Sequence, residues 1–221
     1  MTKLILIAAI ALSTMVANAG SLALLKATGE VKKTVENVSV NAGAVATLLN
    51  GQSINLTTLG AGLRSKKVLF INAKVYVGQL LTDNASQVKL DSSELLTQLN
   101  NNNANAFTMT FVRSVSADQL MTAFREGFNA NNIDMNTPAI QGLLNAISVG
   151  GDINTNDVLV FLLTKNADGT ETLSFQNQKG VVTSLAGGAD KSLASKILAL
   201  WIGQGADSGV TELKKQILQG L

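Results

Sequence analysis

Two side chains in this sequence have types that could do chemistry together: Arg64, in Gly60-Ala61-Gly62-Leu63-Arg64, and Tyr76, in Lys74-Val75-Tyr76-Val77. A guanidinium offers a planar fork of donors that matches a carboxylate, and a phenol adds one O–H donor, so the pair suits an anion. Little else in the chain is reactive. Its 221 residues include no His and no Cys. Ser-His-Asp triads, thiol nucleophiles, imidazole acid/base catalysis and nearly every transition-metal site are therefore excluded. No catalytic residue and no metal ligand is assigned, and no cofactor is expected.

The acids do not fill the gap. Asp118, Glu126, Asp152, Asp157, Asp168 and Glu171 are scattered over caps, turns and exposed helix positions, and read as solvated surface acids rather than a hydrolytic pair. Asp152-Ile153-Asn154-Thr155-Asn156-Asp157 has the look of a calcium loop but lacks its central Gly and distal Glu. Gly60-Ala61-Gly62 lacks the Lys-Ser/Thr of a phosphate loop. Its glycines are expected instead to let the backbone approach something closely. Arg64 then has two readings, a stem covering a sheet edge or an anion anchor. The second carries a geometric condition. On one continuous strand, Arg64 and Tyr76 would lie roughly 40 Å apart. They can share a ligand only if the chain reverses near Ser65 to Lys67 or bends at Asn72.

The elements that must position these groups follow from periodicity. Ser21 to Lys33 reads as mildly helical or irregular, Val35 to Val40 and Gly51 to Thr58 as strands. From Val68 to Val77 the alternation predicts a strand whose odd-numbered residues are buried. Ser92 to Leu99 reads as a short helix, Asn100 to Asn103 with Asn105 as a loop, and Ala106 to Val112 as a strand. A helix starts at Ser116, where Gln119 completes a capping box and Leu120, Phe124 and Phe128 form a stripe. Thr137-Pro138 starts another, with Ile140, Leu144 and Ile147 inward and Gly150-Gly151 as its stop. Val158 to Thr164 and Thr170 to Phe175 flank an Asp-Gly turn, Val181 to Ser184 is a short strand, and two helices close the chain. This order predicts one α+β domain, a mainly antiparallel sheet with helices on one side.

Residues 1–19 have Lys3, an apolar run from Leu4 to Leu12 and the ending Ala17-Asn18-Ala19, and are expected to be a signal peptide for export to a bacterial periplasm or beyond. Residues 20–221 form the single domain. With Lys3 removed, sixteen Lys and Arg face fifteen acids. Such a balance offers no field for nucleic acid, and no later segment is long and apolar enough for a membrane helix.

Gly60 to Leu81, with Gly-Ala-Gly-Leu-Arg and Lys-Val-Tyr-Val, resembles a block of the chalcone isomerase superfamily, especially its bacterial exported branch. Phe111 to Asn131, with Val115-Ser116-Ala117 and Phe124-Arg125-Glu126-Gly127, then Gly151-Asp152, then Lys196 to Gly203, resemble further blocks in the same order. The resemblance covers about residues 35 to 220. It implies an open-faced β-sandwich, a large antiparallel sheet under a helical layer, with a ligand cleft between them. In the plant isomerases an arginine holds the substrate while a tyrosine, an asparagine and a threonine assist cyclisation. Arg64 matches the arginine, but Leu120, Gly127 and a position near Ile71 stand where the others should be. Fatty-acid-binding members hold a carboxylate with an arginine and a tyrosine, which Arg64 and Tyr76 could do. The resemblance thus implies a non-catalytic binder of a small amphipathic carboxylate or phenolic ligand, with an isomerase or lyase on an enolisable substrate, or an accessory envelope protein without ligand, as alternatives.

Overall fold

The computed structural model describes residues 23–68 and 71–221. The expected signal peptide lies outside them. Eight strands form one antiparallel sheet in simple sequence order: β1 (Leu25–Val35), β2 (Val38–Thr47), β3 (Ser53–Val68), β4 (Ile71–Thr82), β5 (Ala104–Phe111), β6 (Val158–Lys165), β7 (Glu171–Gln176) and β8 (Val182–Ala186). Five helices accompany it: α1 (Leu95–Asn101), α2 (Ala117–Ala130), α3 (Pro138–Gly150), α4 (Leu193–Ile202) and α5 (Ser208–Leu218). The main core lies between one sheet face and these helices. It is built on Phe107, Phe111, Phe161 and Phe175 from the sheet, and on Phe128, Leu143, Ile197 and Trp201 from the helices. A smaller cluster of Ala44, Ala46, Leu56, Ala106 and Leu162 forms on the opposite face. The α+β sheet-and-helix architecture is thus as expected from the sequence.

Helix starts follow their predicted chemistry. Ser116 caps α2, its hydroxyl accepting from the Gln119 amide, while the Gln119 side chain accepts from the Ser116 amide. Pro138 opens α3. The β6–β7 hairpin turns at Asp168-Gly169, with Gly169 at φ +79°.

The N-terminal half departs from expectation in four places. Leu25 to Val35 is a strand, not helical or irregular, and the predicted strand over Val35 to Val40 straddles the β1–β2 turn. Glu36 and Asn37 both take positive φ there, as a tight hairpin requires. Gly60-Ala61-Gly62 and Ser65-Lys66-Lys67 do not interrupt β3, which runs unbroken through them. The expected burial of odd-numbered residues from Val68 to Val77 holds at Val77, which is fully buried, but Ile71 is exposed and the even-numbered Tyr76 is only 7% exposed, while Leu69 and Phe70 lie outside the described residues. A β-bulge explains the burial of Tyr76. Arg64 pairs with Tyr76 but Ser65 with Lys74, so Val75 is an extra residue and the inward parity switches from odd to even along β4. Finally, Asn105 is no loop residue. It sits buried in β5, where its amide donates to the Leu99 carbonyl at 2.8 Å and its oxygen accepts from Thr82 at 2.9 Å, tying α1 to the sheet.

Candidate ligand-binding pocket

β3 outruns β2. Pairing between them covers only Ser53 to Thr57 of β3, and side chains meet the rest of that edge. Lys33 donates to the Ala61 carbonyl at 2.8 Å, and the Gln216 side chain accepts from the Leu63 amide at 2.8 Å. That second bond draws α5 onto the strand. A Cβ on Gly60 would collide with the Ile217 carbonyl oxygen, and one on Gly62 would come within 2.7 Å of the Gln216 Cβ. The glycines do permit a close approach, but the neighbour is α5 rather than a ligand.

β3 and β4 run antiparallel, paired from Thr57 opposite Thr82 to Val68 opposite Ile71, so the two strands meet without a reversal at Ser65 to Lys67 or a bend at Asn72. Arg64 and Tyr76 become direct cross-strand partners. The two can therefore cooperate. Both line a cavity of about 830 Å³, within the range of about 300–1,000 Å³ common for small-molecule sites. Its floor is the sheet at Val75, Tyr76, Met109 and Phe111, its roof α2 at Leu120, Phe124 and Gly127, and its end wall Leu200, Trp201 and Val210. Trp201 is fixed by stacking on Phe107, with centroids 3.9 Å apart and planes 10° from parallel, and by an edge contact to Phe161 at 5.0 Å. Most of this lining is apolar, while Lys66, Arg113, Asp118 and Glu126 contribute from exposed positions.

Arg64 is buried at 7% exposure. One terminal nitrogen donates to the Ser65 carbonyl on the open β3 edge, and the other donates to Asp207 Oδ2 at 2.5 Å. Both sequence readings therefore apply at once, edge cover and cavity lining. Asp207 was not foreseen. Its other oxygen accepts from the Gly209 and Val210 amides at 2.9 Å each, capping α5. A Cβ on Gly209 would overlap the Ser65 carbonyl and the guanidinium, so this helix start is shaped around the arginine. Asp-Ser-Gly ahead of the apolar stripe was a legible cap signal, but nothing local tied it to a strand 143 residues away.

The Tyr76 phenol is pushed up to about 12, chiefly by burial, with Asp207 acting in the same direction and Arg64 and the Trp201 indole opposing. It is a neutral donor at any physiological pH. Leu120 and Gly127, placed by resemblance where an isomerase carries a tyrosine and an asparagine, do line the cavity, and so does Ile71. None of the three can orient water or transfer a proton.

Of the acids read as solvated, Asp118, Glu126, Asp152 and Asp168 are exposed, as expected. Asp152 accepts from the Ala117 amide at 2.8 Å, and Asp157 from the Asn154 amide at 2.7 Å. Glu171 corrects the expectation of a solvated acid. It is 2% exposed, with Oε2 accepting from the Ala194 amide at 2.8 Å and Oε1 without a partner. Burial, helped by Asp190 and opposed by the Ala194 amide and Lys165, pushes its carboxyl above the usual range. It sits at the start of α4, outside the cavity.

No curated protein matches the sequence. Among solved structures, a fatty-acid binding protein of Arabidopsis thaliana shares the fold, with a TM-score of 0.52 and 18% identity over 79% of this chain and 95% of that one. The family model of chalcone isomerase-like proteins matches residues 32–219, from within β1 to just past α5, and the chain belongs to that family.

Proposed function

We propose that the protein is an exported, non-catalytic binding protein for a small amphipathic acid such as a fatty acid, with Arg64 as anion anchor and Tyr76 as hydrogen-bond donor. The observation that carries this reading is a cavity of about 830 Å³, largely apolar, in which a buried guanidinium and a neutral phenol are cross-strand partners. Burying an acyl tail supplies affinity at about 0.8 kcal/mol per methylene. Three guanidinium N–H groups not used by Ser65 and Asp207 remain to meet a head group. The fold shared with a fatty-acid binding protein is consistent with this ligand class. An open cavity beside Arg64 also weighs against a purely structural role, and the apolar Leu120 and Gly127 weigh against an isomerase. Export is part of the proposal and rests on residues 1–19.

Lipid extraction and mass spectrometry of the purified protein should recover acyl ligands. After delipidation, laurate should bind, and Arg64→Met, which keeps the stem but removes the fork, should weaken it at least tenfold. Absence of acyl ligands together with no laurate affinity would sink the proposal.

A further inference from the structure

Resting on the reading of Arg64 as the head-group anchor, we infer that Asp207 is a built-in counterion that tempers how tightly Arg64 holds a carboxylate, narrowing the advantage of a carboxylate over an uncharged polar head. The anchor is already neutralised: Asp207 Oδ2 lies 2.5 Å from the Arg64 guanidinium, and both side chains line the cavity. Any carboxylate that reaches the free donors of Arg64 must sit beside the Asp207 carboxylate, and like charges in so confined a space repel. Nor can Asp207 simply move away. Its second oxygen holds the Gly209 and Val210 amides, so leaving Arg64 disturbs the first turn of α5. That helix is anchored in turn by Gln216 on Leu63 and by the fit of Gly60 against Ile217. A hydroxyl or an undissociated acid meets no such penalty, because it can donate to Asp207 while accepting from Arg64 or Tyr76. Lys66 and Arg113 are the other cavity-lining cations, both at exposed positions where water screens them, and so they compensate little at the buried end.

Asp207→Asn is a clean probe, since asparagine caps a helix as well as aspartate does while removing the charge. Asp207→Ser, another capping residue, guards against an effect peculiar to the amide. Delipidated full-length protein is titrated calorimetrically with laurate and, separately, with 1-dodecanol. Both variants should bind laurate about tenfold tighter than the parent protein, the change that one pKa-unit's worth of charge interaction produces, whereas dodecanol, which loses a charged acceptor for its hydroxyl, should bind no tighter than to the parent. Unchanged or weaker laurate binding in both variants, while Arg64→Met still weakens it, would overturn the role of Asp207 and leave the binding function standing. Tighter binding of both probes alike would also overturn it, because that reports extra space rather than charge. If the parent and both Asp207 variants bind neither probe, the binding function and this inference fall together.

Discussion

Substituting Gly60 by alanine separates the two roles a glycine in this strand can play. Gly60 lies inside β3 under the last turn of α5, and an added Cβ would overlap the Ile217 carbonyl oxygen. A backbone carbonyl in a helix cannot rotate aside, so α5 must lift from the sheet where Leu213 and Ile217 are fully buried. Overpacking of this kind costs about 1–3 kcal/mol, and a rigid obstacle puts the cost near 3. For a domain of this size that corresponds to a fall in Tm of about 6–12 °C. Gly142 in α3 is the matched control. Its added Cβ would meet the flexible end of Leu185, Cδ2 at 2.5 Å, which can swing away, and alanine gains roughly 1 kcal/mol of helix propensity. Thermal unfolding of the delipidated proteins should show Gly60→Ala strongly destabilised and Gly142→Ala within about 2 °C of the parent. A Gly60→Ala protein that melts normally but loses laurate would refute the packing account and restore the view that this glycine makes room for ligand.

Further outcomes follow from the same geometry. Tyr76→Phe removes one donor aimed at an anionic head and should weaken laurate about tenfold, as a charge-assisted hydrogen bond implies, with little change in Tm. Affinity for saturated acids should rise about fourfold per added methylene, the equivalent of about 0.8 kcal/mol, until the cavity is filled, and then level off. A flat chain-length series would mean that the tail is not buried. Glu171 gives a pH signature. Its folded carboxyl holds a proton to higher pH than the ordinary 4.5, so the folded state binds more protons just above that value and stability falls as pH rises through the window. Glu171→Gln should therefore gain stability relative to the parent as the pH rises above 4.5, and denaturant unfolding that shows the opposite trend would contradict the assignment.

What the sequence made legible was local and periodic. The capping box at Ser116, the proline at the start of α3 and the Asp-Gly turn of the last long hairpin each carry their signal within a few residues, and each element formed there. The β4 face was misread because a bulge at Val75 leaves no mark in the pattern, yet it alone decides that Tyr76 points inward. The glycines of β3 signalled a close approach without revealing to what, because the helix they accommodate lies some 150 residues later in sequence. The pairing of Asp207 with Arg64 was silent for the same reason, and so was the burial of Glu171 beneath α4. Arg64 and Tyr76 were found by elimination in a chain without His or Cys. Their pairing needed the β3–β4 register to become visible.

The most direct test of the central claim is a crystal structure of the delipidated protein with a long-chain acid brominated at its tail, whose anomalous signal fixes the ligand's direction. The carboxyl group should lie within about 3 Å of both the Arg64 guanidinium and the Tyr76 hydroxyl, with the tail along Phe111, Leu120 and Phe124. A head group left at the exposed side beside Lys66 and Arg113, or an empty cavity at saturating ligand, would contradict the account.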